Sequence, residues 1–272
     1  MFVWPLINCS SSESICNTMN LDTYLSRIDF LENPTVNRET LIALHRQHVL
    51  TIPFEDLDIH WKIPLNIDQD ALVDKIIQRK RGGFCYELNT LFYHLLLSLG
   101  FPAQLVSCQI SQGNGKFGPP YDHMAILVEL EETWLLDIGY GDLFIEPLRL
   151  HETSVQKDWF KFFQVQKNGT HFLLSESRDG QRFTPRYKIR PVPESIQAFI
   201  PQLRWKENHP DSYFVQNFIC TLPNRQGRIT IYNDYLIITK NGKRSKKRLV
   251  DTTDKQRYLQ QYFGVESQVG VQ

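Results

Sequence analysis

The sequence predicts an α+β fold in which helices come first and strands follow, and three features carry that prediction. Before Gly100 apolar residues return every three or four positions, the spacing of helices with one buried stripe. After Gly100 the texture changes to short β-branched and apolar runs punctuated by glycine and proline, as strands and turns require. A hydrophobic share of 42% over 272 residues is enough for sizeable cores, and no internal repeat or low-complexity block interrupts it.

In chain order, residues 1–14 are apolar and then Ser-rich, without a basic leader or a small-residue cleavage site. Residues 1–18 are therefore expected to be a disordered extension, with Met19 as a candidate start. Leu21, Tyr24, Leu25 and Ile28 form the first helical stripe and Leu41, Leu44, His45 and His48 the second, with Asn33-Pro34 between them; the two histidines read as half-buried helix residues. Pro53 keeps residues 52–57 out of a helix interior, so they are expected to be a loop presenting Phe54 and Glu55. A third helix is predicted over 70–79, capped by Asp68 or Asp70. The fourth has the fullest stripe, Leu88, Leu91, Phe92, Leu95, Leu96 and Leu99, and is stopped by Gly100 with Pro102 beyond.

Strands are predicted at 103–110, 123–130, 133–138, 161–166, 171–174 and 181–189, with a flexible loop over 113–120. Residues 191–205 read as a Pro-punctuated connection and 211–217 as a short helix. Two more strands follow at 228–232 and 235–240, then a hairpin turn at Asn241-Gly242 and a closing helix over 253–263.

Charge excludes some functions. Lys plus Arg and Asp plus Glu number 30 each, so no net field gathers nucleic acid or an anionic membrane, and no apolar window of eighteen residues crosses a bilayer. Small neutral or amphiphilic partners are expected. Cys9, Cys16, Cys85, Cys108 and Cys220 are an odd, sparse set without metal-ligand spacing, which fits a reducing, cytoplasmic compartment and no metal site.

One stretch stands out for chemistry. In Arg81-Gly82-Gly83-Phe84-Cys85 two glycines allow a sharp turn, and the cysteine arrives where the helical stripe begins, three residues before Leu88 and so on the buried face. A helix N-terminus carries roughly half a positive charge, which favours a thiolate. Position alone leaves Cys85 readable also as a packing residue. A nucleophile needs a base, and the base an orienting group. His94 sits nine residues further on the same helix, about 13 Å along its axis, too far to serve. His123 opens an apolar strand after a Gly/Pro loop, and Asp137 closes the next one. A hairpin centred near Leu130 sets them directly opposite, with Cβ atoms about 5 Å apart; a tight turn at Glu131-Glu132 throws them onto opposite faces. The sequence leaves that register open.

Taken together, RGGFCYELN at 81–89, IPFEDLDI at 52–59, HMAILV at 123–128 and LLDIGYGD at 135–142 resemble the arylamine N-acetyltransferases; NHPDSYF at 208–214 and QGRIT at 226–230 continue the likeness towards the C-terminus. The resemblance implies a three-part fold: a helical bundle over 19–101, a β-barrel-like part over 102–205 and an α/β lid over 206–272, around a cysteine-protease-like core. It implies a Cys85-His123-Asp137 triad and acetyl-CoA as co-substrate. A cysteine thioester would carry the acetyl group to an arylamine, hydrazine or arylhydroxylamine in ping-pong fashion, the chemistry of xenobiotic metabolism, with backbone N–H groups at the helix start as oxyanion donors. Phe54 and Tyr140 match aromatic positions of the acceptor pocket, Gly141 and Phe214 border the coenzyme A cleft, and Arg81 is expected to form a structural ion pair with Glu55. Where the family has asparagine after PFE, this chain has Asp56. Monomer and homodimer are both compatible with the sequence. The triad alone does not choose between amine and water, so a Cys-His-Asp hydrolase or transglutaminase-like enzyme competes, as does a non-catalytic binding protein on the same scaffold. Residues 240–248 hold six basic side chains in nine, either a solvated hairpin or a contact for the phosphates of coenzyme A or a nucleic acid.

Overall fold

The computed structural model describes residues 19–266, so the extension expected at 1–18 lies outside the described residues. The helical part opens with α1 (Leu21–Arg27) and α2 (Arg38–Thr51), started by Asn20 and Asn37, whose side chains accept the N–H of Thr23 and Thr40. Next come β1 (Phe54–Glu55), α3 (Leu57–Trp61) and α4 (Gln69–Leu72), which runs on as a π-helical stretch, Val73–Gln78. Two expectations change here. The supposed loop at 52–57 contains a strand, because Phe54 and Glu55 pair with Thr221 and Cys220 far along the chain while Phe54 also bridges Gly83. The third helix follows Asp68, whose side chain makes no capping bond, and widens into π turns that a 3.6-residue period does not reveal.

α5 (Cys85–Ser98) fills the middle of the bundle, with Leu88, Leu91, Phe92, Leu95 and Leu96 all buried, and the chain leaves it through Gly100 at φ +87. The strands β2 (Ala103–Gly113), β3 (Lys116–Phe117), β4 (His123–Glu129), β5 (Thr133–Leu136), β6 (Leu148–Arg149), β7 (Gln156–Lys157), β8 (Phe162–Asn168), β9 (His171–Ser177) and β10 (Thr184–Pro193) follow. They form one sheet in the order β6-β5-β4-β2-β10-β9-β8-β7, with β3 folded onto β2 inside the stretch expected to be a loop. The sheet curls into a nearly closed barrel: Gln156 on one edge strand exchanges side-chain hydrogen bonds with the Arg149 backbone on the other. Alternate residues serve two cores. Val106, Ala125, Leu127, Phe163 and Leu174 fill the barrel, whereas Leu105, Met124, Ile126 and Leu136 pack against the bundle, and so β4 is apolar almost throughout.

Residues 191–205, expected as a connection, are largely helical: a 3₁₀ turn at Ile196–Phe199 leads into α6 (Ile200–Asn208), whose Pro201 sits in the first turn, where proline costs no hydrogen bond. After α7 (Tyr213–Gln216) come β11 (Ile219–Asn224), β12 (Gly227–Tyr232), β13 (Tyr235–Lys240), β14 (Lys243–Arg248) and α8 (Thr252–Phe263). Asn241 and Gly242 both take positive φ, +49 and +76, as the expected hairpin turn demands. The lid sheet runs β1-β11-β12-β13-β14, so its first strand is lent by the helical part. α8 covers one face, where Cys220, Ile231, Leu236, Leu259 and Phe263 form a third apolar cluster.

Candidate active site

Cys85 is delivered to the start of α5 by a turn that only glycine can make. A Cβ on Gly82 would stand 2.2 Å from the Pro53 carbonyl oxygen. The Gly83 N–H donates to that same oxygen, and the Glu55 N–H donates to the Gly83 carbonyl. Below the turn lies a buried charge network. Arg81 reaches Glu55 at 2.6 Å, as expected, and Asp58 at 2.9 Å; Lys75 joins Asp58 at 2.6 Å and Glu87 at 2.8 Å. Burial would raise the Asp58 carboxyl, but Lys75 and Arg81 outweigh it and hold it below its ordinary range. Glu87 also accepts the Phe84 N–H at 2.8 Å, so the network closes on the first turn of the helix that carries Cys85.

His123 and Asp137 come together by a register other than the two weighed from sequence. Glu129 pairs with Thr133 and Ile126 with Leu136, which centres the hairpin on Glu131. Asp137, just past β5, thus lies diagonal to His123; the offset of two residues keeps both side chains on one face. The His123 Nε2 to Asp137 Oδ2 distance is 2.7 Å, and the Cys85 sulfur is near enough to the same imidazole to favour its charged form. Burial alone would lower the His123 pKa, but the Asp137 carboxylate and then the sulfur raise it to about 10. Cys85, His123 and Asp137 are all buried, with at most 3% of their surface exposed.

Two side chains that sequence reasoning assigned no part hold Asp137. Asn89 Nδ2 donates to Asp137 Oδ1 at 3.1 Å and to the Met124 carbonyl at 2.7 Å, while its Oδ1 accepts the Ile138 N–H. It lies four residues after Cys85, one turn along the same helix face, and a lone amide on that stripe was the available signal. His45, expected to be half-buried, is fully buried because Phe144 and Ile145 close over α2. Its Nε2 accepts the Asp137 N–H at 3.2 Å and its Nδ1 faces the Ile145 carbonyl at 2.8 Å. Burial pushes its pKa down to about 4, so the ring is neutral and Nδ1 is the donor. His48 is likewise buried, against Phe92 and Tyr24.

A cavity of about 1130 Å³ opens above Cys85 and His123. Phe54 and Tyr140 line it, and the Tyr140 ring stands edge-on to the imidazole at 5.5 Å. Phe214 packs on Phe84 at 4.5 Å, and Gly141, at φ +92, leaves room for the Phe54 ring. Arg228, part of the QGRIT stretch but given no role from sequence, reaches from β12 to the Gly141 carbonyl and to Asp142, tying the lid to the loop after Asp137. The Asp56 carboxyl is pushed well above the usual carboxylate range by burial, against the pull of the Ile219 N–H that it accepts at 2.8 Å. Gly139 meets the helix backbone so closely that a Cβ would lie 2.7 Å from the Cys85 carbonyl oxygen.

The chain is similar to known proteins over most of its length. The sequence model of the N-acetyltransferase family matches residues 37–270. The arylamine N-acetyltransferase of Escherichia coli (strain K12) is 28% identical over 249 residues, covering 90% of this chain and 88% of that protein. Among solved structures, the arylamine N-acetyltransferase of M. tuberculosis superposes with a TM-score of 0.84 at 25% identity, covering 90% of this chain and 94% of that one. The Mycobacterium marinum arylamine N-acetyltransferase, solved in complex with CoA, superposes with a TM-score of 0.83 at 24% identity over 90% of this chain and 93% of that one, a likeness of fold.

Proposed function

The chain belongs to the arylamine N-acetyltransferase family, and from that premise we propose that it carries an acetyl group from acetyl-CoA, through a thioester on Cys85, to an arylamine, hydrazine or arylhydroxylamine. The observation that carries this reading is a buried cysteine at a helix start, on the floor of a cavity, beside an imidazole that Asp137 holds at 2.7 Å. With Nε2 engaged by Asp137, the other ring nitrogen takes the proton of Cys85. The sulfur attacks the donor carbonyl, and N–H groups of the first turn of α5 receive the oxyanion. The bond to coenzyme A breaks, and the leaving sulfur collects the proton from His123. The acceptor amine then attacks the acetyl-cysteine, gives its proton to His123 and releases Cys85. Thioester replaces thioester in the first half-reaction, so neither half is steeply uphill.

Phe54 and Tyr140 serve as walls for the aromatic acceptor, and Gly141 and Phe214 border the donor arm. For a division at 19–101, 102–205 and 206 onwards, the barrel cluster falls wholly in the second part and the lid cluster in the third apart from Leu57, whereas the bundle cluster draws in Leu105, Met124 and Leu136 from the barrel and β1 is lent to the lid sheet. Cys85, Cys108 and Cys220 are unpaired thiols, which supports a reducing, cytoplasmic compartment; no helix among the described residues is long and apolar enough to cross a membrane.

Incubation with acetyl-CoA alone should add one acetyl group to Cys85, detectable by mass, and an arylamine should discharge it far faster than water. Equal discharge by water would make the protein a hydrolase. Transfer undiminished in Cys85→Ser would overturn the reading altogether.

A further inference from the structure

Every side chain of the basic run at 240–248 is exposed, but the pairing of the lid strands sorts them onto two faces. Residues directly opposite in antiparallel strands project to the same side. Pro223, Arg228, Thr239 and Arg244 therefore share one row across the sheet, and Thr221, Thr230, Ile237 and Lys246 the next. Thr221, Arg228, Thr230, Ile237, Thr239 and Arg244 line the cavity above Cys85. This is the face that α8 leaves open, since Cys220, Ile231 and Leu236 on the other face meet Leu259 and Phe263. Lys243, Ser245 and Lys247 belong to the α8 side, where Lys247 donates to the Tyr258 hydroxyl at 2.7 Å.

The cavity face thus ends, on its outermost strand, in cations. Arg244 and Lys246 have no carboxylate at ion-pair distance among the described residues; Lys246 rests on the Tyr235 ring at 3.5 Å. Arg178, from the turn after β9, lines the same cavity on the barrel side. Strands lie about 4.8 Å apart, so the four steps from β1 to β14 carry this face about 19 Å from Phe54 out to Arg244. An acyl-pantetheine arm has the covalent reach of about four extended residues, about 14 Å, and its phosphates begin beyond that.

We propose that the cavity side of β14, Arg244 first and Lys246 beside it, with Arg178 on the barrel side of the same cavity, is the phosphate anchor for the nucleotide end of the acyl donor. The inference rests on the acetyl-CoA reading above and assigns its charged half a place. Guanidinium groups suit the task because their forked donors match phosphate oxygens, and a hydrogen bond to a charged partner is worth enough to move binding about tenfold or more.

The test compares neighbouring residues that carry the same charge on opposite faces, Arg244→Glu and Lys243→Glu, using acetyl-CoA and S-acetylpantetheine as donors with a saturating arylamine. Arg244→Glu should raise the KM for acetyl-CoA about tenfold or more, and lower by a like factor the preference in kcat/KM for acetyl-CoA over S-acetylpantetheine. Lys243→Glu should shift both by less than about threefold, the residue of long-range charge alone. Equal effects from the two variants, or none from Arg244→Glu, overturn the anchor while transfer from both donors leaves the acetyltransferase standing. Failure of the unaltered protein to accept an acetyl group from either donor removes the acetyltransferase reading and the anchor with it.

Discussion

Replacing Asp137 with asparagine removes the charge that holds His123 while leaving a side chain of the same shape. The imidazole pKa rises from an ordinary 6.5 to about 10 in the folded protein, which corresponds to about 5 kcal/mol in favour of the imidazolium. Burial opposes that rise, so without the carboxylate it should carry the His123 pKa below 6.5. An asparagine amide would also donate to Nε2 where Asp137 accepts, which puts the ring hydrogen on Nδ1 and blocks the nitrogen needed by Cys85. If most of the lost stabilisation is felt as Cys85 is acylated, single-turnover acylation by acetyl-CoA should slow about a thousandfold, about 4 kcal/mol. Alkylation of Cys85 by iodoacetamide should lose its neutral-pH reactivity in parallel. The linkage has a defined sign. With a folded pKa above the unfolded one, the His123–Asp137 pair stabilises the fold fully below pH 6.5 and loses that contribution as pH rises towards 10. The stability gap between wild type and Asp137→Asn, measured by urea denaturation, should therefore shrink across that window. Acylation and alkylation within threefold of wild type in a folded Asp137→Asn protein would refute the proposed roles of all three residues.

Asn89→Ala removes the donor to Asp137 Oδ1 and the acceptor of the Ile138 N–H; acylation should fall about tenfold to a hundredfold, with a melting temperature lowered by a cost of about 1–3 kcal/mol. Gly139→Ala drives a methyl to 2.7 Å from the Cys85 carbonyl oxygen and 2.6 Å from Asn89 Nδ2; overpacking of about 1–3 kcal/mol should appear in the urea midpoint, together with loss of acylation, and an unchanged acylation rate would argue against the close fit. His45, with its pKa lowered to about 4 from 6.5, takes up a proton on unfolding that it refuses when folded; stability should fall by about 3 kcal/mol as pH drops from 6.5 to 4, and His45→Gln should flatten that slope. Arg81→Met leaves Glu55 and part of Asp58 uncompensated in the interior; a loss of about 3–5 kcal/mol is expected, and a neutral result would show that water or proton uptake relieves the site.

Which parts of this fold were legible from sequence depends on how far away their causes lie. The helix of Cys85 was readable because its stripe, its start after two glycines and its stop at Gly100 are all local. The Asn241-Gly242 hairpin was readable for the same reason. The strand at Phe54–Glu55 was not, since its partners Thr221 and Cys220 lie more than 160 residues on and nothing within 52–57 announces them. Proline misled twice in opposite ways. Pro53 does break helix, but the break is a strand, and Pro201 stands inside the first turn of α6, where a proline signals a start.

The candidate site divides along the same line. Cys85, His123 and Asp137 each carry a reactive group beside a local signal, a glycine turn, a strand start or a strand end, but it was the resemblance to the arylamine N-acetyltransferases that joined them into a triad. Their mutual geometry depends on a hairpin whose centre the sequence left open, and one further residue in that turn would have reversed the face of Asp137. What holds the carboxylate was harder to see. Asn89 and His45 read as polar interruptions on apolar stripes, yet each satisfies a hydrogen-bonding group that burial would otherwise leave unpaired: Asn89 an Asp137 oxygen, His45 the Asp137 N–H. A neutral His45 does so without adding a second positive charge near His123, and its low pKa is therefore part of what lets Asp137 serve His123 alone. A polar residue on a buried stripe near a candidate nucleophile is thus best treated as a support for some other group's charge, and here that group is the carboxylate on which the imidazole depends.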